Sequence, residues 1–399
     1  MTLSQSLEYA SLPMVFHVLT FSGVWCPSDW NASSKLLYSI YSKIQMGAGI
    51  SLWLTLLINI IITGTHSEKF YQSFFVIAAI SLSVYKYFWV PKNREDIQDI
   101  LKTCFKNNWF DSRDEYEIEI IRRFRSETRW MTAAYAIIIS TALSIKVFGP
   151  IFISDSALQL PLEAWYPYNV NNRFIFLMCY CHQVLGGVPF TWLHIAVDSL
   201  FASLVLQLCT QLGLLKYRLR NYVHFHDLSS KDNKRQNLNL LHDGDTVDKL
   251  ISAHEDVLKL AKQMQSRFAG VFIGQIMAVI PNICSNVYVL SQCKDLGSYI
   301  FIDSVACFLA SLINMFIYCW YGNKAMLHSL EVADAVYSMN WTDLDNLSKK
   351  KIVMMIIRAR RAIQFRANHL PMNIESFISV LNTSYSAFRV LQRTSDNNV

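Results

Sequence analysis

The chain has 399 residues, 52% of them hydrophobic and only 17% charged, with a formal net charge of +6. Soluble domains carry about 25% charged residues, so this balance, with a mean hydropathy of +0.23, argues against an ordinary soluble protein and points to a polytopic membrane protein with lipid, not nucleic acid, around it. Nine cysteines show no CxxC and no metal-ligand spacing; they read as small apolar helix residues, and no cofactor is expected.

The first apolar run, 14–25, is too short to span a bilayer and is broken by Gly23 and Pro27. It has no basic flank before it and no small-x-small site after it, so it reads as an interfacial or re-entrant helix and not as a signal peptide. Spans follow at 44–64, at 70–90, closed by Pro91, and at 130–153. Residues 92–130 mix both signs of charge and read as solvated helices that continue the spans into water. Residues 173–216 form one long apolar run, taken as a fourth span at 174–197 with a helical continuation over 198–226. Gly186-Gly187-Val188-Pro189 is read as a kink within that helix. The alternative is a hairpin, which would invert everything after it. Within the hydrophilic stretch 227–266, residues 229–239 read as a mobile loop. The fifth span is 268–290 and the sixth 299–321. Residues 322–372 are polar to amphipathic, with a basic helix from Lys349 to Phe365, and Pro371 precedes a seventh span at 373–393.

Charge sets the orientation. The long loops 91–130, 199–267 and 322–373 hold nine, ten and eight Lys or Arg, whereas the short loops hold one each: Lys69, Arg173 and Lys294. By the positive-inside rule the N-terminus is cytoplasmic and the C-terminus extracellular. The expected fold is therefore all-α with seven transmembrane helices and a cytoplasmic helical anchor bundle. Residues 1–42 are a cytoplasmic N-terminal segment with a short interfacial helix. Residues 43–321 hold spans one to six with long cytoplasmic extensions. Residues 322–372 are cytoplasmic anchor helices, and 373–399 are the seventh span with a short extracellular tail. This is the reverse of a G-protein-coupled receptor, and no DRY-like triplet or NPxxY is present.

The seventh span is long enough to cross, about 30 Å for 21 residues, but it carries a stripe of Ser379, Asn382, Thr383, Ser386 and Val390 at spacings of three and four. Such a stripe must face other helices or water, which leaves a buried interhelical seam or a pore wall. Among ionisable residues, Lys86 is expected to snorkel and Asp198 to sit at the inner interface. Lys146 and Asp303 fall in the outer thirds of spans three and six and are expected to pair, because an unpaired charge there is costly. The basic residues Lys349–Lys351, Arg358, Arg360 and Arg361 read as a solvated outer face.

FIYCWYGNKAMLHSLEVADAVYSMNW, KIVMMIIRARRA and FISVLNTSYSAFRVL, within 316–391, resemble the C-terminal third of insect odorant receptors. FSGVWCP near the N-terminus and DSLFASLVLQLCTQLGLL after span four are similar to that family as well. The resemblance implies a tuning subunit of an odorant-gated, non-selective cation channel, assembled as a heterotetramer with the olfactory co-receptor in the plasma membrane of a sensory neuron. It favours the pore-wall reading, with Ser379, Thr383 and Ser386 lining the pore and Val390 narrowing it as a gate. It further implies a small volatile ligand in the outer half of the membrane, in an aromatic-lined site among Phe74, Phe75, Ser144, Phe148, Phe176, Tyr180, Phe301 and Val305. His182 and Gln183 would orient a polar ligand group or bond to a neighbouring helix. Thr383-Ser384-Tyr385 and Phe388-Arg389 do not fit the related gustatory receptors. Arg389 departs from the apolar residue common at that step in the co-receptor, and with Arg393 it weighs on ion selectivity. The rivals are a gustatory-receptor-like channel and a metabotropic receptor, whose external N-terminus would expose the sequon Asn31-Ala32-Ser33. A transporter lacks the expected repeat, and no constellation supports an enzyme.

Overall fold

The structure, a computed structural model, describes residues 13–27, 29–63, 68–106, 114–152, 159–170, 172–222, 243–293, 295, 298–339, 341 and 344–396, without the side chains of 13, 68–75, 105–106, 243–246 and 390–396. Its helices are α1 (Pro13–Phe21), α2 (Ala32–Thr63), α3 (Glu68–Lys92), α4 (Arg94–Lys106), α5 (Glu115–Phe152), α6 (Arg173–Arg220), α7 (Asp243–Gln292), α8 (Tyr299–Tyr337), α9 (Asn346–Ala359) and α10 (Ile374–Asp396). By length and composition α2, α5, α6, α7 and α8 suffice to cross a membrane. With α3 and the more polar α10 they make a seven-transmembrane all-α bundle. The stretch 229–239, expected to be a mobile loop, lies outside the described residues.

α6 is the axis of the bundle. It runs unbroken for 48 residues through Gly186-Gly187-Val188-Pro189, so the kink-within-a-helix reading holds and there is no hairpin. Asn172 starts it, its side chain accepting from the Phe174 amide at 3.0 Å. Beyond the glycines its sequence is apolar all round, which suits a helix packed on every side, and Leu193, Val197, Leu200, Leu204, Leu208 and Leu212 are fully buried. Two glycines at the contact of α6 with α2, Gly186 on the former and Gly49 on the latter, are there for space. A Cβ on Gly49 would lie 1.9 Å from the Phe190 ring, and one on Gly186 would lie 2.8 Å from the Ala48 carbonyl oxygen. α1 packs Val15, Phe16 and Leu19 into the core, and Phe21 meets Trp192 of α6 edge-on.

At the middle of α6, Asp198 is 1% exposed and collects a set of donors. Tyr318 donates to Oδ1 at 2.5 Å; Tyr135 at 2.9 Å and Asn314 Nδ2 at 2.7 Å donate to Oδ2. His194 Nε2 is 3.1 Å away, and Lys86 closes an ion pair with the same carboxylate. Lys86 is fully buried, so its expected snorkelling is corrected. Each charge is satisfied by the other together with dipoles from α5, α6 and α8.

At the end of the bundle that bears the long loops, charges brace helices to one another. Arg218 Nε lies 2.6 Å from Glu117 Oε1, joining α6 to α5. Lys324 Nζ lies 2.5 Å from Glu127, joining α8 to α5, and Lys216 of α6 pairs with Glu331 of α8. Arg267 reaches Asp96 at 2.9 Å, and Lys351 reaches Asp248 at 2.6 Å. Part of the basic cluster on α9 is thus tied inward, while Arg358, Arg360 and Arg361 remain exposed.

The basic helix ends at Ala359, short of the expected Phe365. Ile363, Phe365 and Ala367 are buried and alternate with more exposed neighbours, a period of two that an extended chain satisfies and a helix does not. A short hairpin follows, β1 (Arg366–Ala367) against β2 (Leu370–Pro371), turned by Asn368 at φ 55°, a conformation Asn tolerates. Met372 N then bonds to Phe365 O at 2.7 Å. Gly322 of α8 admits this crossing, since a Cβ there would stand 2.2 Å from the Met372 carbonyl oxygen. Phe365 anchors the turn, with its ring 5.5 Å from Phe201.

Two outcomes follow. Lys86→Met or Asp198→Leu alone strands a buried charge and should cost about 3–5 kcal/mol, seen as loss of folded, surface-delivered protein; the double substitution should recover much of it. Separately, burial and the Lys216 ammonium push His328 down to about 4. The unfolded chain then binds a proton that the folded one does not between about pH 4 and 6.5, so stability falls as pH drops through that window. His328→Asn should flatten this slope in detergent melting curves.

Candidate ligand cavity and helix α10

α3, α5, α6, α7 and α8 enclose a cavity of about 230 Å³ between the Asp198 cluster and the short-loop end. Its wall is largely aliphatic: Ile80, Leu82, Ile139, Leu143, Val184, Val188 and Val279 contribute, with Phe190 the one phenyl ring among the described residues. β-Branched and small side chains are what let five helices leave space between them.

Polar groups sit at both ends of the cavity. Toward the Asp198 cluster stand Ser83, Thr191, His194, Gln275, Ser311 and Asn314. Toward the short-loop end stand Lys146, Gln183 and Asn282. Lys146 Nζ donates to Asp303 Oδ2 at 2.6 Å, the pairing expected from their depths, and Cys307 Sγ lies 3.7 Å from the other carboxylate oxygen.

Residues 159–166 cover this end. Gln183 holds Leu162 by both its amide groups: Leu162 N donates to Gln183 Oε1 and Gln183 Nε2 donates to Leu162 O, each at 2.9 Å. Trp165 N bonds to Thr55 O at 3.2 Å, and Asn59 Nδ2 to Glu163 O at 2.9 Å. His182 is clamped between Ser51 Oγ at 2.8 Å and the Tyr166 hydroxyl at 3.0 Å. It serves helix and loop packing, whereas Gln183 both packs the loop and lines the cavity.

None of the sequence-derived ligand residues with described side chains lines the cavity. Phe148 is 52% exposed, and Ser144, also exposed, donates to Ser140 O at 2.8 Å. Tyr180 donates to Val147 O at 2.8 Å, and its ring lies 6.0 Å from that of Phe176. Phe301 and Val305 are half-buried, about one and a half turns and half a turn outside the cavity-lining Cys307 on α8. The side chains of Phe74, Phe75 and Val390 lie outside the described residues. Sequence reasoning missed Gln275, His194 and Asn314; the available signal was a polar residue inside an otherwise apolar span.

α10 packs on α7 and α8 through Ser376, Val380 and Ser384, all buried, with Phe377 against Phe316 at 5.6 Å. Its opposite face is uncovered: Ile378, Ser379, Asn382, Thr383, Tyr385, Ser386 and Arg389 are all exposed. Thr383 donates to Ser379 O at 2.8 Å and Ser386 to Asn382 O at 2.9 Å. Each hydroxyl proton is thus committed to its own helix, leaving oxygen lone pairs outward.

Residues 66–385 match the model of the 7tm Odorant receptor family. Odorant receptor 10 of Aedes albopictus is 24% identical over 290 residues, 70% of this chain and 72% of that one. Odorant receptor 46a, isoform A, of Drosophila melanogaster is 23% identical over 348 residues, 85% and 86% of the two chains. Among solved structures, the insect olfactory receptor OR5 from Machilis hrabei in complex with eugenol shares the fold, with a TM-score of 0.83 at 14% identity over 96% of this chain and 98% of that one.

Gln183→Ala removes both bonds to Leu162. The expected result is at least about tenfold faster hydrogen exchange at the Leu162 amide, with the α6 core unchanged.

Proposed function

The chain belongs to the insect odorant receptor family, and we propose that it is the tuning subunit of an odorant-gated, non-selective cation channel assembled with the olfactory co-receptor. The observation that carries this reading is the uncovered polar face of α10. A membrane-crossing helix cannot turn Ser379, Asn382, Thr383 and Ser386 to lipid, and nothing among the described residues covers them. Water in a pore shared with neighbouring subunits satisfies both that face and its outward lone pairs. Val390, two turns beyond Thr383, supplies the aliphatic constriction that gates by dewetting. Arg389 shares the exposed face and limits how cation-selective this subunit alone makes the pore. The N-terminus is cytoplasmic and the C-terminus extracellular in the plasma membrane, as the loop charges require.

A small volatile odorant occupies the cavity, with Phe176, Tyr180, Phe301 and Val305 on its access route and Phe74 and Phe75 at the head of α3. α7 and α8 couple the two sites. Each contributes to the cavity wall and each packs against α10, so a ligand that fits only one of two packings of these helices biases the pore by population shift.

The test is cysteine accessibility in cells expressing both subunits, with G-protein signalling blocked. Odorant-evoked cation current should need both chains. Ser379→Cys, Thr383→Cys and Ser386→Cys should lose current to a water-borne thiol reagent, and Val380→Cys and Ser384→Cys should not. Equal reaction on both faces, or current abolished by the G-protein block, overturns the reading.

A further inference from the structure

We infer that the cavity selects a hydroxyl-bearing ligand, whose O–H donates to Gln275 Oε1 at its inner end; this rests on the reading of the cavity as the odorant site. Gln275 is 2% exposed, lines the cavity, and its Oε1 has no hydrogen-bond partner among the described residues. A buried acceptor left without a donor is costly, so the position favours whatever brings one.

The orientation of that amide is dictated from below. Asp198, as a carboxylate, only accepts, so the group that Asn314 presents to it must be Nδ2, at 2.7 Å. Asn314 Oδ1 then faces Gln275 and takes a bond from its Nε2. Gln275 Oε1 is what remains. A charge deep in the bundle thus decides, through two amides, that the cavity meets its ligand with an acceptor.

The neighbouring groups agree. Ser83 donates to Ala79 O at 3.2 Å, Thr191 to Gly187 O at 3.0 Å and Ser311 to Cys307 O at 2.8 Å. Each keeps only oxygen lone pairs for the cavity. Both ring nitrogens of His194 are engaged, Nδ1 by Lys86 at 3.3 Å and Nε2 by Asp198 Oδ2 at 3.1 Å. Donors toward the ligand, Lys146 and the amide group of Asn282, stand at the far end. An alcohol therefore matches the inner end, and an aldehyde, ketone or ether does not. A protonated amine donates too, but it would have to shed its water among aliphatic walls. The volume holds about eight waters, hence roughly eight to ten non-hydrogen atoms.

The experiment applies 1-octanol, octanal, 2-octanol, 2-octanone and octane to the complex with the co-receptor. Evoked current and ligand-induced thermal stabilisation of the detergent-extracted complex are read side by side. The expected result is half-maximal response to each alcohol at a concentration at least about tenfold below that for its carbonyl partner. Gln275→Leu should raise the alcohol value about tenfold or more and leave the carbonyl value within about threefold. If that variant fails to reach the surface, Gln275→Met takes its place, and the wild-type series alone already decides. Equal or better potency of the carbonyl compounds overturns the inference, as does an equal shift of both classes in the variant. Stabilisation by alcohols without current would sustain it while overturning the channel reading. Current with no preference for alcohols would do the reverse.

Discussion

Everything in this bundle depends on a carboxylate that cannot reach water. Asp198 holds Lys86, His194, Tyr135, Asn314 and Tyr318 around it, and these come from α3, α5, α6 and α8. A buried pair of this kind is a weak source of net stability, because desolvation offsets most of the attraction. Its effect is on registry. Slide any of these helices by one turn and an acceptor or a charge is left bare, at a cost of several kcal/mol. Apolar surfaces tolerate slippage, and this cluster does not.

The same cluster forms the floor beneath the cavity. Its members above Asp198 are also lining residues, so the fold's most constrained point and the site's chemistry share side chains. The aliphatic walls above it impose shape without direction; direction comes from the polar end, where Asn314 and Gln275 take their roles from the carboxylate below.

Much of this was legible in the sequence, for identifiable reasons. Hydropathy and loop charge locate the spans, because lipid enforces apolar runs of about 20 residues. The depth of Lys146 and Asp303 in their spans was enough to foresee the pair, since two charges at one depth have few other partners. Lys86 failed as a snorkelling residue because depth alone does not reveal a partner 112 positions away. The aromatic candidates with described side chains lie outside the cavity lining for a related reason: periodicity shows which residues share a face of one helix, but not which neighbour that face meets. The loop at 159–166 and the hairpin at 366–371 carry no period long enough to read, and both are held by side chains distant in sequence, Gln183, Asn59 and His182 for the loop and Gln265 for the hairpin.

The crossing of Met372 over Gly322 has a mechanical meaning. It clamps the start of α10 against α8, while the remainder of the helix rests on α7 along one face only. α10 is therefore a cantilever, built in at one end and free at the other. From Asn373 to Val390 the arm is about 25 Å. A tilt of about 10° at the clamp moves the tip by roughly 4 Å, near the width of a methyl-bearing side chain. The deflection at the root stays negligible, so such a tilt leaves the packed base of the helix intact.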